Sequence, residues 1–249
     1  MTDLRPSLTS VTLVAVTGVA LDATIKALQA SMTQARFSQA LLLSDRRPQV
    51  RGAGIVWRKI EPIRSREDYS RFMLRDLAGF IATSHALCVQ WDGYVLDGTA
   101  WEARFLDYDY IGAPWAHFRD GHTVGNGGFS LRSRRLLEAC RDLPLDAPLQ
   151  EDVIIGRRCR PLLEKRGIRF ATEEVARRFS YERMRPTGGE FGFHGIFNLV
   201  ERLSSGEALR LISSLEPGLL ARNERWELLR WALRRGRLGL ALEMIRRLA

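Results

Sequence analysis

The sequence has little cysteine, lysine or histidine and no long apolar run. Its three cysteines, Cys88, Cys140 and Cys159, are far apart. An odd number without paired spacing argues against a disulfide framework or a zinc module. Cys88 lies in an apolar run and reads as a small core residue. Lys26, Lys59 and Lys165 are the only lysines among 38 basic residues. No low-complexity tract interrupts the chain, which argues against extended disorder. The run from Val11 to Leu21 is too short to cross a bilayer, and Met1 to Ser10 lacks the charged-then-apolar order of a signal peptide. These absences lead to the expectation of a cytoplasmic protein, with peripheral contact at the inner membrane left open.

The 249 residues are 45% hydrophobic and 27% charged, enough for one large domain or a domain with an appendage. The net charge of +9 is carried almost wholly by arginine. The planar guanidinium fork suits phosphate and carboxylate groups. The charge therefore fits nucleic acid, an anionic membrane or phosphorylated small molecules, and equally a merely solvated basic surface.

Val11 to Val16 reads as a buried strand ending at Thr17-Gly18, Leu21 to Gln34 as a helix, and Ala40 to Leu43 as a strand closed by Ser44-Asp45. Strand, helix, strand opens an α/β domain. Pro48, Gly52, Gly54 and Pro62 surround a short strand at Ile55-Val56-Trp57. Ser65 reads as an N-cap, with Tyr69 to Ile81 helical. His85 to Gln90 is the next strand and ends at Trp91-Asp92-Gly93-Tyr94. Asp107 to Trp115 reads as a turn and short strand. A glycine loop, Gly125 to Gly128, leads into Phe129-Ser130-Leu131, and Ser133 caps a helix to Cys140. Pro144 and Pro148 break the chain. Glu151-Asp152 opens a helix reaching about Arg166, and Ile168 to Phe170 reads as a last strand. Arg183 to Gly195 has no clean period. From Ile196 the apolar residues fall on helical faces, punctuated by Gly206, Pro217-Gly218 and Gly236. The expected division is 1–195 for an α/β domain and 196–249 for a helical extension.

Ligands of open α/β sheets collect at the carboxyl ends of strands. Thr17, Gly18 and Asp45 end the first two strands and are candidates for holding a base and ribose. Asp92 ends another; an acid there can hold a divalent cation beside a diphosphate, although a turn or cap explains it as well on spacing alone. The glycines of Val124 to Arg132 let backbone approach a ligand, or form a simple turn. Glu151-Asp152 can accept a proton from a hydroxyl, or mark a helix N-terminus. His194, among aromatic residues and glycines, can ligate a metal, although a lone histidine is more often structural.

The order of Gln90-Trp91-Asp92-Gly93-Tyr94, Tyr108 to Trp115, Val124 to Arg132, Glu151-Asp152-Val153 and Phe193-His194-Gly195 resembles an uncharacterised bacterial family of glycosyltransferase-like domains, over about residues 11 to 195. It is also similar to the GT-A fold, notably the metal-dependent β-1,4-galactosyltransferases. The resemblance implies a Rossmann-like α/β fold with a mixed sheet and helices on both faces, Mn²⁺ or Mg²⁺, and a nucleotide-sugar donor such as a UDP-sugar. It implies that Asp92 binds the metal, His194 completes that site, and Gly127, Gly128 and Ser130 line the sugar. Asp152, with Glu151 beside it, would activate the acceptor hydroxyl, and Arg71 would meet the donor. Gln90 stands where the first acid of Asp-x-Asp would be; its amide oxygen can ligate a hard cation but carries no charge. A surface glycan or other polysaccharide precursor, free or lipid-linked, is the implied acceptor.

Trp91, Trp101 and Trp115 are candidates for stacking on a sugar; core packing suits Trp101 better, and Trp115 is taken as an acceptor contact. Arg230, Arg234, Arg235, Arg237, Arg246 and Arg247 alternate with apolar residues, so the tail could face anionic lipid, cap the first domain or form a dimer surface. Two rival classes stand beside the transferase: a basic nucleic-acid-binding protein and a nucleotide-sugar hydrolase. No nucleic-acid reader motif or stacking array is present, so nucleic acid is not an expected partner.

Overall fold

A strand covered on both faces must be apolar at nearly every position, and Val11 to Val16 meets that demand. The protein is described by a computed structural model over residues 5–49, 54–145 and 150–248. Gly52 and Pro148, expected in loops, lie outside the described residues. The first strand, β1, runs Ser7–Val16. Leu13 and Ala15 face one core, and Val14 and Val16 face the other. Next come α1 (Leu21–Gln34), β2 (Arg36–Ser44), β3 (Ile55–Lys59), α2 (Arg66–Arg75), β4 (His85–Val89), β5 (Tyr94–Val95) and β6 (Tyr110–Gly112). They are followed by β7 (Phe129–Ser133), α3 (Arg134–Cys140), α4 (Glu151–Val153), α5 (Arg160–Lys165), α6 (Glu173–Phe179), β8 (Ser180–Tyr181) and β9 (Gly192–Phe193). The chain closes with α7 (Ile196–Arg202), α8 (Ser205–Ser214), α9 (Arg222–Arg234) and α10 (Leu238–Leu248).

The main sheet has six strands in the order β3-β2-β1-β4-β7-β6. The first four are parallel, and β7 runs antiparallel to β4 and β6. One face buries Ile25 and Leu28 of α1 with Val175 and Phe179 of α6. The other buries Phe72 and Met73 of α2 with Leu137 of α3. The class is thus α/β, with a mixed sheet, helices on both faces and a C-terminal helical extension. A second sheet of three two-residue strands, β5-β9-β8, sits beyond the carboxyl ends of the parallel strands.

Local chemistry explains the clear matches and the differences. The Ser65 side chain accepts from the Asp68 N–H and starts α2; Ser133 does the same for Leu136 and starts α3. The helix expected through Ile81 ends at Arg75, and Leu77–Phe80 continues as a 3₁₀ turn. The helix expected from Glu151 to Arg166 is broken: α4 passes into a π-helical turn at Ile154–Arg158, and α5 begins at Arg160 with Pro161 in its first turn. The strand expected at Ile168 to Phe170 is a single bridge, Tyr110 to Phe170. Helix α6 was not expected, although Thr172 caps it and Glu173-Glu174 fill its first turn.

The four C-terminal helices share one apolar cluster with Ala20 and Ala23 of the first helical unit and with Tyr181 and Phe193 of the small sheet. A polar clamp joins the same parts. Ala20, the N-cap of α1, adopts a left-handed conformation with φ 47° and has no side chain able to cap. Both oxygens of Glu216, in the α8–α9 loop, accept its N–H at 3.0 and 2.9 Å. A carboxylate at a helix N-terminus satisfies a free N–H and meets the positive end of the helix. No helix among the described residues is long and apolar enough to cross a membrane. Glu216→Ala is expected to lower the unfolding free energy by about 1 kcal/mol, the usual cost of a lost cap. Urea unfolding with an unchanged slope checks this, and an unchanged midpoint contradicts it.

Candidate active site

The parallel strands all end on one edge of the sheet, and a cleft of about 620 Å³ opens there. Its walls come from the segments that follow β1, β3 and β4 and from the glycine loop that precedes the antiparallel β7. The α4 end and the α8–α9 loop complete it. Of the residues singled out from sequence, Thr17, Gly18, Gln90, Asp92, Gly127, Gly128, Glu151, Asp152 and His194 all line this cleft. Trp91 lines it too. Asp45, Arg71, Ser130 and Trp115 do not. Arg71 is exposed on α2. Ser130 is fully buried beneath the loop, where its hydroxyl donates to the Gly127 carbonyl at 3.0 Å. Trp115 is buried, and added Cβ atoms on Gly125 and Gly156 would strike its ring at 2.3 and 3.1 Å. It packs beneath the glycine loop and offers no face to the cleft. Trp101 packs edge-on against Phe105 and Phe191.

The acid side of the cleft rests on Arg132, which is 0% exposed. Its Nη2 donates to Glu151 Oε1 at 2.9 Å and to the Gly127 carbonyl at 3.3 Å, and its Nε donates to Ser130 Oγ at 3.0 Å. The guanidinium lies 5.5 Å from the Tyr110 ring centroid. The alternation of β7 explains its place: Phe129 and Leu131 enter one core, so Ser130 and Arg132 face the other way, toward α4. Glu151 is thereby fixed in place, with its own N–H donating to Ser70 Oγ at 3.2 Å.

Asp152 is the neighbouring acid. Its Oδ2 accepts from the Gly127 N–H at 3.0 Å and its Oδ1 from the Val153 N–H at 2.8 Å. Burial, reinforced by the adjacent Glu151 charge, outweighs those bonds and the pull of Arg132, and the carboxyl pKa is pushed up to about 7. A buried carboxyl that ionises near neutral pH on a cleft wall is suited to taking a proton from a bound hydroxyl.

The opposite side is set by the small sheet. Asp92 stands just before β5, Glu182 just after β8 and His194 just after β9, and the register Tyr94–Phe193–Tyr181 brings all three to one end. His194 Nε2 lies 3.2 Å from Asp92 Oδ1 and 3.2 Å from Gln90 Oε1. The Gln90 amide is oriented by donation of its Nε2 to the Tyr69 hydroxyl at 3.0 Å. Glu182 Oε1 lies 3.4 Å from the other ring nitrogen, Nδ1. Burial would lower the His194 pKa, but Asp92 and Glu182 outweigh it and hold it well above 6.5.

No group of three His, Cys, Asp or Glu side chains placed to hold a metal occurs among the described residues. Asp92 and Glu182 flank opposite nitrogens of one ring, so they do not share an ion through it. Asp92, His194 and Gln90 offer one cation a carboxylate, an imidazole nitrogen and an amide oxygen once the imidazole gives up its proton. Asp92 Oδ1 is buried and has no partner other than the His194 ring, 3.2 Å away. The 3.2 Å spacings match neighbouring ligands around an ion with bonds of about 2.1 Å, which stand about 3 Å apart.

Between the two sides lies the glycine loop, where side chains have no room. A Cβ on Gly127 would lie 2.5 Å from Glu151 Oε1, and one on Gly128 would lie 2.1 Å from His194 Nε2. Asn126 ties the loop down, donating to Glu182 Oε2 at 3.0 Å and accepting from the Gly128 N–H at 3.2 Å. Arg64 and Arg66, not singled out from sequence, line the cleft at the start of α2. Their side chains are exposed and form no ion pair among the described residues. At the β1 end the wall is Glu216, Pro217, Gly218, Leu219 and Leu220 of the helical extension.

A family described as "Protein of unknown function (DUF5672)" matches residues 55–194. No curated protein matches the chain. Among solved structures, the chain is similar to a glycosyltransferase involved in glycosylation of the major capsid of PBCV-1, at 13% identity and a TM-score of 0.46, covering 80% of this chain and 96% of that one. It is also similar to the apo-form glycosyltransferase GlyE of Streptococcus pneumoniae TIGR4, at 11% identity and a TM-score of 0.37, covering 76% and 54%.

Arg132→Met is expected to destabilise the protein by about 3–5 kcal/mol, because Glu151 is left buried without its partner. Combining it with Glu151→Gln should cost less than the sum of the two single changes. Urea titration of the three variants checks this; additive losses contradict the pairing.

Proposed function

This chain belongs to the family described as Protein of unknown function (DUF5672), and we propose that it is a GT-A type glycosyltransferase. In this reading it moves a sugar from a nucleotide-sugar donor to a hydroxyl of a glycan or lipid-linked glycan precursor. One juxtaposition supports the reading most: a carboxyl ionising near pH 7, Asp152, faces the same cleft as the Asp92–His194–Gln90 set, with only a glycine loop between them. A transferase needs a proton acceptor for the incoming hydroxyl and positive charge for the departing diphosphate, about a sugar's width apart. UDP-sugars are the first donors to test, and residues 196–249 act as a helical extension of the catalytic domain.

Each residue then has a task. Arg64 and Arg66 meet the diphosphate. Asp92, His194 and the Gln90 oxygen would hold Mn²⁺ or Mg²⁺, which supplies charge neutralisation on the leaving diphosphate when bound. Thr17 and Gly18 border the nucleoside end of the cleft. The backbone of Gly127 and Gly128 borders the sugar, packed closely against Glu151 and His194. The acceptor oxygen forms the bond to the anomeric carbon as the carbon–oxygen bond to the diphosphate breaks. Its proton passes to Asp152, and the nucleoside diphosphate leaves. One base and one displacement give inversion at that carbon. Glu151, bonded to Arg132, sits beside Asp152 and adds to the effect of burial in raising its pKa.

Because Asp152 must be deprotonated to act, transfer should rise with pH, reach half its plateau near the Asp152 pKa of about 7 and level off about one unit above it, and at pH 6 it should be roughly a tenth of its plateau. Asp152→Asn should lower the rate by about 10²-fold or more with donor binding retained. Release of nucleoside diphosphate from a panel of nucleotide-sugars measures both. Undiminished turnover in Asp152→Asn, or a rate flat from pH 5 to 8, overturns the assignment of the base.

A further inference from the structure

Among the described residues, five of the seven large hydrophobic side chains that stand exposed lie on the α9–α10 hairpin: Trp226, Leu233, Leu238, Leu242 and Ile245. The hairpin is antiparallel, since Arg225 at its open end donates to the Arg247 carbonyl. Leu238, Leu242 and Ile245 follow at i, i+4 and i+7 and share one face of α10. The opposite face buries Leu240, Ala241 and Met244 against the rest of the protein. A helix apolar on both faces is normally covered on both, and a clustered exposed patch marks a surface that meets something else.

The charges around the patch select the partner. Trp226, Arg230 and Leu233 share one stripe of α9, with Arg222 and Arg234 continuing it. These three arginines are exposed and form no ion pair or hydrogen bond among the described residues. The acids of the hairpin are all engaged: Glu224 accepts from the Ala221 N–H at 2.8 Å, Glu227 holds Arg183 at 3.0 Å, and Glu243 holds Arg246 and Arg247. Arg235 is likewise taken, by Glu201. A second copy seated on this face would set free arginines against free arginines with no acid between them. An anionic lipid surface satisfies both features, receiving the leucines among its acyl chains and the arginines at its phosphates.

We propose that the α9–α10 hairpin is a docking face for an anionic phospholipid bilayer. The helices lie in the plane of the interface and do not cross it. The wall residues Glu216 to Leu220 lie immediately before α9, so the docking face and one wall of the cleft belong to the same helical unit. The inference holds whether or not the cleft transfers a sugar.

The test is co-sedimentation of the full chain with phosphatidylcholine vesicles containing 30% phosphatidylglycerol (about a third of the lipid, to give a strong surface charge) or none. The protein should sediment with the anionic vesicles, be released by salt, and ignore the neutral ones. Leu242→Glu and the pair Arg230→Glu/Arg234→Glu should each weaken binding roughly tenfold or more, with melting temperatures unchanged because these side chains are exposed. Failure to bind anionic vesicles overturns the proposal, as does binding that both variants retain. A dimer in solution that Leu242→Glu dissolves would assign the face to a second copy instead.

Discussion

A charged pair buried between β7 and α4, Arg132 with Glu151, sets the geometry of the cleft. Removing two charges from water costs several kcal/mol per ion, and attraction between them repays that only with good geometry and further hydrogen bonds. Arg132 has those bonds, to Ser130 Oγ and the Gly127 carbonyl. One guanidinium therefore fixes the strand, the glycine loop and the start of α4 relative to one another. The lack of a side chain at Gly127 follows directly, because a Cβ there would occupy the space of Glu151 Oε1. The same enclosure raises the pKa of Asp152, through burial first and the neighbouring Glu151 second. The stability of the fold and the ionisation of Asp152 are thus coupled through the same few atoms.

The second constraint is the three-stranded miniature sheet. Strands of two residues contribute little stability by themselves. Here they align three loop residues from distant parts of the chain, Asp92, Glu182 and His194, at one edge of the cleft. Phe193 and Tyr181 of this sheet also enter the apolar cluster of the C-terminal helices. The extension therefore braces the site from behind, and its α8–α9 loop forms one wall of the cleft. The same extension presents the exposed apolar and basic face of α9 and α10 on its other side.

Much of the architecture is legible in sequence because its causes are local. Both-face burial makes β1, β2 and β4 continuous apolar runs, and Ser65 and Ser133 announce the helices they cap. The miniature sheet is not legible, since two residues carry no period. The break after Val153 is hidden because the Ile154–Arg158 turn keeps an apolar, helix-like composition while its hydrogen bonding changes. In the site, the glycine loop and the Glu151-Asp152 pair are legible as a motif order. Arg132, Arg64, Arg66, Glu182 and Glu216 are not, because nothing in a chain so rich in arginine separates a buried or cleft-facing charge from a solvated one. Only the alternation along β7, with Phe129 and Leu131 on one side, points to Arg132 facing a different environment. Trp115 shows the converse: an aromatic beside a glycine loop looks like a ligand platform and is the floor beneath that loop.

In the proposed function, the cleft would hold a nucleoside diphosphate through Asp92 and His194, with a divalent cation between protein and phosphate. Calorimetric titration of a set of nucleoside diphosphates, with Mn²⁺ and with chelator, tests it most directly. The account predicts that at least one binds only when Mn²⁺ is present, that Asp92→Ala abolishes this binding, and that Asp152→Asn leaves it intact. Absence of binding by every member of the set, or binding of equal strength in Asp92→Ala, would contradict it.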